Sequence, residues 1–167
     1  IPLKNVSRPN VLKLYLTKKR VRLINKKELI SNNNNSSDHY KKFDSDIGSW
    51  KVLVAKSSPG DDSYPHSIFS QPIISEPGSL CTESHLVVNI LSNEIEARNL
   101  YEYMNTKFFR FMVLLAKSGH NITQDTFQYV PIVNLNYKIS DVSLFEKYDI
   151  NKEERSLINC TIREANF

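Results

Sequence analysis

The stretch TKFFRFMVLLAKSG, residues 106–119, decides the fold of this chain. It is apolar on nearly every side of a helix, so we predict a central hydrophobic helix near 107–118 that is buried in the core. Thr106 suits the N-cap position, and Gly119 suits the position that follows the last turn. Lys107 and Arg110 are then expected to share the one stripe of this helix that faces solvent.

Segments on the N-terminal side of this helix have the apolar patterning of strands. The predicted strands are 11–17, 21–24, 50–56, 68–74 and 86–91. Turn-forming pairs such as Pro59-Gly60 and Pro77-Gly78 separate them. The N-terminal half is therefore expected to build a sheet.

Helix signals dominate the C-terminal half. Three helix starts have residues typical of N-caps, and these are Asn93 with Glu96, Ser140, and Asn151 with Glu154. Residues 127–133 are expected to be a strand or an extended segment. We therefore predict one α+β domain over residues 1–167, mainly strands and loops in 1–91 and mainly helices in 92–167. A twisted, mostly antiparallel sheet should pack on the helical part.

Charge is distributed unevenly along the chain. Residues 1–56 hold 13 lysines and arginines against 4 acidic residues, a net charge of +9, and residues 57–167 hold 9 against 14, a net charge of −5. A basic segment beside an acidic one is typical of a protein that presents one face to a polyanion. Lysines that only keep a surface hydrated give the same counts, so charge leaves both interpretations open.

Composition bounds the class of protein. With 40% hydrophobic and 24% charged residues, the chain resembles an ordinary globular domain. No apolar run approaches the roughly 18 residues that span a membrane, so we predict no membrane contact and a cytoplasmic location. Cys81 and Cys160 are too few for a disulfide framework and are expected to be two buried thiols. Because the chain begins with Ile1 and not Met, we expect it to be part of a larger protein.

Motifs for catalysis are missing. A metal-dependent nuclease needs several carboxylates and a lysine around one ion, whereas Asp61 and Asp62 lie in a Pro/Gly turn. A methyltransferase needs a glycine-rich loop and, for adenine, an Asn/Asp-Pro-Pro-aromatic tetrapeptide, but the chain has 4 scattered glycines and no Pro-Pro pair. Cys81 and His85 have a metal-like spacing without obvious further ligands. We therefore predict no catalytic residue, no metal site and no cofactor in this chain.

Two polar segments have the chemistry that DNA binding requires, namely cations for phosphates and hydrogen-bonding groups for base edges. The first is Lys56-Ser57-Ser58, at the end of a predicted strand. The second follows the buried helix and contains Lys117, His120, Asn121, Thr123 and Gln124. An ordinary polar turn, and a helix C-cap with Lys117 against the helix dipole, explain the same segments equally well.

Further cations suit contacts to the DNA backbone. Lys18, Lys19 and Arg20 lie at the tip of a predicted hairpin. Lys107 and Arg110 can reach phosphates from the solvent-facing stripe of the buried helix, or can simply extend their charged ends to water.

Several stretches resemble the C-terminal specificity region of type IIG-like restriction–modification enzymes. They are residues 50–56 (WKVLVAK), 78–88 (GSLCTESHLVV) and 106–111 (TKFFRF), followed at similar spacing by 127–131 (FQYVP), 140–141 (SD), 144–148 (LFEKY) and 152–154 (KEE). The resemblance covers roughly residues 50–163. In that family the region is a target-recognition domain, which selects the DNA sequence on which an attached adenine-specific methyltransferase and endonuclease act.

The resemblance implies that the chain binds double-stranded DNA and is covalently linked to methyltransferase and nuclease domains upstream. S-adenosylmethionine and Mg²⁺ are then expected only in those domains. It also implies that Lys56-Ser57-Ser58 and residues 117–124 are on the DNA-facing side. The family often has a Thr-Gln pair where this chain has Gly119-His120, so no base preference is transferred to that position.

Two alternatives remain at this stage. The first is a protein-interaction or scaffolding module, in which the basic N-terminal half docks onto an acidic partner domain. The second is a divergent nuclease that uses Asp61, Asp62 and Glu76.

Overall fold

The computed structural model describes residues 48–58, 63–79 and 84–165 of the chain. The predicted strands 11–17 and 21–24 lie outside the described residues, as do the cations Lys18, Lys19 and Arg20. Asp61, Asp62 and Cys81 lie outside them as well.

The described strands form a three-stranded antiparallel sheet. β1 is Trp50–Ala55, β2 is Ile73–Ser75 and β3 is His85–Leu91, and their order across the sheet is β2-β1-β3. A bulge between Val52 and Leu53 shifts the register of β1 against β3. The strand predicted at 68–74 is confirmed only at its end.

β1 is buried on both of its faces. Val52 and Val54 belong to the main core, whereas Leu53 belongs to a second small cluster with Val87. Because successive side chains of a strand point to opposite faces, the continuous apolar run Val52-Leu53-Val54 serves both sides of the sheet. This explains why β1 is the central strand of the described sheet.

Four α-helices follow the sheet in the described part of the chain. α1 is Glu94–Asn105, α2 is Lys107–Ala116, α3 is Asp141–Lys147 and α4 is Lys152–Thr161. A 3-10 helix, Gln124–Phe127, lies between α2 and α3. The order of strands first and helices second confirms the predicted α+β class. The prediction of an extended segment over 127–133 is wrong at Phe127, which is the last residue of the 3-10 helix.

The predicted N-caps are confirmed. The side chains of Asn93, Thr106, Ser140 and Asn151 each accept a hydrogen bond from the backbone N–H three residues later. Glu96 additionally accepts from the backbone N–H of Ser92, at 3.0 Å. Each such cap stabilises a helix by about 1 kcal/mol, because it satisfies a backbone donor that has no partner within the helix.

α2 is the hydrophobic centre of the domain, as predicted. Phe108, Phe109 and Val113 are completely buried. The ring of Phe109 meets Tyr103 edge-on at 4.9 Å, and the ring of Phe108 stacks on Tyr148 at 5.3 Å. Burial of each large side chain contributes about 1.5–3 kcal/mol. α2 packs on α1, on the 3-10 helix, on α3 and on α4, whereas α1 packs on the sheet.

The expected end of α2 at Gly119 is wrong. The helix ends at Ala116, and its C-cap residue Lys117 has an extended backbone with φ −78° and ψ 120°. The N–H of Lys117 donates to the carbonyl oxygens of Val113 and Leu114, at 3.0 and 3.2 Å. Because the chain leaves the helix in an ordinary extended conformation, no left-handed glycine is required.

Two further expectations concern burial and membranes. Cys160 is a free and exposed thiol, so the expectation that it is buried is wrong. Its position near the end of α4 faces solvent, whereas Ile158 of the same helix points into the core. Over the described residues, no helix has both the length and the apolar character that a membrane span needs.

Candidate nucleic-acid interface

The structure brings the two polar segments singled out in the sequence into one paired edge. Ser57 and Asn121 form an isolated antiparallel bridge. On one side of it the N–H of Ser58 donates to the carbonyl of His120 at 2.9 Å, and on the other the N–H of Ile122 donates to the carbonyl of Lys56 at 2.6 Å. We call residues 56–58 and 117–124 together the loop pair.

Regular elements hold the loop pair in place. Residues 56–58 continue β1, and the N–H of Lys56 donates to the carbonyl of Ser84 at 2.8 Å. The second segment leaves the C-terminal end of α2 and is anchored by Ile122, which is 1% exposed. A loop fixed at both ends loses little entropy when it binds a ligand, which favours a binding role.

A chain of hydrogen bonds ties the two segments to each other. The ammonium of Lys117 donates to Ser58 Oγ at 2.8 Å, and Ser58 Oγ donates to the carbonyl of His120 at 2.5 Å. The chemistry of the groups fixes the direction of both bonds. The ammonium of Lys117 can only donate, so Ser58 Oγ accepts from it. The carbonyl oxygen of His120 can only accept, so Ser58 Oγ donates its own hydrogen to that oxygen. Lys117 and Ser58 therefore stabilise the loop pair from within.

This tie corrects part of the sequence prediction. Ser58 was expected to present its hydroxyl to DNA, but the residue is 8% exposed and its hydroxyl already has two partners. The physical reason is the period of two along paired strands, which turns Ser58 inward and Ser57 outward. Ser57 thus keeps the surface role, and Ser58 has a structural one.

The exposed groups of the loop pair are polar and varied. They are the side chains of Ser57, His120, Asn121, Thr123 and Gln124. Lys56 and Lys117 are half-buried cations at the same edge, and Asp125 follows directly as the nearest acidic residue in sequence. The predicted residues of this edge therefore combine positive charge with hydroxyl, amide and imidazole groups.

Lys107 does not belong to this edge. It begins α2, whereas Lys117 ends it, so about 15 Å of helix separates the two backbones. The ammonium of Lys107 lies 2.9 Å from Glu164 Oε2 and 3.5 Å from the carbonyl oxygen of Asn159. The expectation that Lys107 projects freely into solvent is wrong, because the C-terminal segment covers much of its side chain.

Arg110 is the clearest correction. It was expected on a solvent-facing stripe, yet it is 1% exposed. Its guanidinium donates to the carbonyl of Ser67 at 2.9 Å, to Asn105 Oδ1 at 3.1 Å and to the carbonyl of Met104 at 3.4 Å. The planar fork of five donors suits several acceptors at once, and Arg110 thereby anchors α2 to residues outside the helix.

The surroundings of Arg110 fit a structural role. Its guanidinium lies 4.7 Å from the ring centre of Phe69, a cation–π arrangement. Burial lowers the pKa of Arg110 to about 10, and the nearby Tyr101 opposes this with a smaller effect, so the group stays protonated at neutral pH. A side chain with so little exposed surface cannot contact a phosphate in this conformation.

Asp141 is a structurally important residue that the sequence analysis placed only at a helix start. Its two carboxylate oxygens accept from the backbone N–H groups of Lys107 and Phe108, at 3.0 and 2.8 Å. A carboxylate at a helix N-terminus is favoured by the helix dipole as well as by these bonds. Asp141 therefore joins the start of α3 to the start of α2, a contact between positions too distant in sequence for a local pattern to indicate.

Side chains that commonly bind metal ions do not cluster among the residues that the structure describes. Within 48–58, 63–79 and 84–165, no three His, Cys, Asp or Glu side chains form a group that could hold a metal ion. His85 has Ser84 Oγ as a neighbour, at 3.0 Å from its Nδ1.

Comparison with protein-family models, with curated proteins and with solved structures finds no match to this chain. The resemblance to a restriction–modification specificity region accordingly remains a prediction from the sequence. The features that bear on function are the geometry of the loop pair and the distribution of charge.

Proposed function

We propose that this chain binds double-stranded DNA in a sequence-specific manner, as the target-recognition domain of a restriction–modification enzyme. The single observation that carries the proposal is the pairing of residues 56–58 with residues 117–124. Each segment was selected from the sequence for its DNA-binding chemistry, and the two form one exposed polar edge. Linked domains would supply S-adenosylmethionine, Mg²⁺ and the reactions themselves.

Positive charge is concentrated in the N-terminal part of the chain, outside the described residues. The described residues contain 11 lysines and arginines and 11 acidic residues, so they carry no net charge. Residues 1–47 contain 11 lysines and arginines against 4 acidic residues. We propose that the N-terminal cations, including Lys18, Lys19 and Arg20, supply most of the affinity for phosphates, and that the loop pair supplies sequence discrimination.

Lys56 is the cation of the loop pair that best suits a phosphate. It is half-exposed at the end of β1, next to the exposed Ser57. Lys117, in contrast, donates a hydrogen bond to Ser58 within the protein. Loss of a single phosphate contact should weaken binding to all sequences alike and lower the dependence of affinity on salt.

The test measures binding of the 167-residue chain to a fluorescent DNA duplex over a range of salt concentrations. Affinity should fall steeply as salt rises, and Lys56→Gln should reduce the slope of log K against log salt by about 1. Lys138→Gln is the matched control, because Lys138 is exposed and lies outside the loop pair. A chain that binds no duplex even at low salt, but binds an acidic protein domain tightly, would refute DNA binding in favour of the scaffolding alternative.

A further inference from the structure

One pair of side chains in the loop pair has a defined position on its surface. Ser57 and Asn121 lie directly opposite each other in an antiparallel bridge. The hydrogen bonds run between the flanking residues, from Ser58 to His120 and from Ile122 to Lys56. Ser57 and Asn121 thus form a non-hydrogen-bonded pair, the type in which opposite side chains are closest, with Cβ atoms about 4.5–5.5 Å apart.

The direction of this pair follows from its neighbours. Ser58 and Ile122, one step along each segment, are buried. Successive side chains of an extended chain point to opposite faces, so Ser57 and Asn121 share the outward face. Both are exposed, and neither side chain is hydrogen-bonded to another of the described residues.

Asn121 differs from Gln124, the other amide of the loop pair, in its backbone contacts and in the length of its side chain. Residues on both sides of Asn121 take part in cross-segment hydrogen bonds, and the Lys117–Ser58 tie holds the carbonyl of His120. Gln124 begins the 3-10 helix, where no side-chain cap is present, and its longer side chain has one more rotatable bond. Asn121 is therefore the amide with the least conformational freedom to lose on binding.

We infer that Asn121, presented beside Ser57, is a specificity-determining residue that reads an adenine in the DNA major groove; this rests on the proposed function. A carboxamide has an acceptor oxygen and a donor nitrogen in one plane. Adenine presents the complementary pair on its major-groove edge, since N7 accepts and the N6 amino group donates. Guanine presents two acceptors there, so it can satisfy only the nitrogen of the amide.

The experiment selects the duplexes that the 167-residue chain retains from a pool with randomised bases, at low salt. One position of the selected sequence should be adenine for the unaltered chain and should lose this preference in Asn121→Ala. The variant should bind the selected duplex about 5- to 150-fold more weakly, while its affinity for a scrambled duplex stays the same. Asn136→Ala, at an exposed asparagine outside the loop pair, should leave the preference intact.

A chemical probe then identifies the base edge. Replacement of the selected adenine by 7-deazaadenine removes only the N7 acceptor, so it should weaken binding by the unaltered chain and not by Asn121→Ala. A preference that survives Asn121→Ala, or binding without any sequence preference, overturns the inference while duplex binding itself stands. Absence of binding to every duplex overturns the proposed function, and the inference with it.

Discussion

Replacement of Arg110 by methionine should lower the free energy of unfolding by about 3–6 kcal/mol. Two of its hydrogen bonds, to the Ser67 carbonyl and to Asn105 Oδ1, are short, at 2.9 and 3.1 Å. A hydrogen bond to a charged group contributes about 1.5–3 kcal/mol, and the third bond, at 3.4 Å, is too long to add much. Methionine replaces the apolar stem of arginine and can fill part of the space beside Phe69, but it has no donor, so the lost polar bonds dominate the effect.

A strained turn makes the same site more sensitive. The carbonyl of Ser67 accepts from Phe69 N–H at 2.9 Å as well as from Arg110. The residue between them, Ile68, has a φ of 71°, a left-handed conformation that is unfavourable for a β-branched side chain. Because Arg110 helps to hold this turn, its loss should disturb residues 67–69 first.

Urea unfolding followed by circular dichroism and by the fluorescence of Trp50, the one tryptophan, measures the effect. Arg98→Met is the matched control, because Arg98 is exposed and forms an i,i+4 pair with Glu94 at 2.6 Å. Such a pair contributes about 0.3–0.5 kcal/mol. Arg110→Lys should recover only part of the loss, since a single ammonium cannot reach the acceptors that the planar fork joins.

The outcome also decides between two roles for Arg110. A stable Arg110→Met protein with reduced DNA affinity would refute the anchoring role and restore the phosphate contact expected from the sequence. A loss of stability no larger than that of Arg98→Met would equally contradict the reasoning.

Two further perturbations test the packing around α1 and the loop pair. Burial, with a smaller effect of Tyr148, raises the pKa of the Tyr103 hydroxyl well above 10.0. As the pH rises, the unfolded chain therefore loses this proton at a lower pH than the folded chain. The stability that Tyr103 contributes is present below about pH 10 and is lost as the pH rises above it. Tyr103→Phe, which removes the hydrogen bond to the Pro131 carbonyl, should lower the free energy of unfolding by about 1 kcal/mol at neutral pH. It should also make the fall of that free energy at alkaline pH less steep in urea unfolding. An unchanged dependence on alkaline pH would contradict this. Lys117→Met removes the donor to Ser58. Amide hydrogen exchange at Ser58 and Ile122 should then accelerate about fivefold, because loss of a hydrogen bond at a half-buried site lowers the free energy of local opening by about 1 kcal/mol. The same change at Lys138 should have no such effect, and equal exchange rates in the two variants would disprove the tie.

Features that depend on a few neighbouring residues were predictable. Thr106, Ser140 and Asn151 cap helices because each side chain reaches a backbone N–H only three residues away. The apolar stretch at the centre of α2 must be buried whatever surrounds it. The polar composition of the loop pair was equally visible.

Features that depend on residues distant in sequence could not be predicted. Periodicity shows which side of α2 carries Arg110 but not what packs there, and Ser67 is 43 positions away in sequence. The apolar residues of 68–74 predicted a strand, yet Ile68 has a left-handed backbone and β2 covers only Ile73–Ser75. A strand pattern gives way where packing imposes another conformation on one residue.

By itself, the sequence determined the α+β class, the helix starts, the buried character of α2 and the two segments suited to DNA. Only the tertiary structure decided that these segments pair, that Ser57 and Asn121 face outward together, and that Arg110 is an internal anchor. The reason is the range of the interactions. Caps and periodic patterns act within a turn or a few residues, whereas Ser58 and His120 are 62 positions apart and meet only because β1 and α2 share one core.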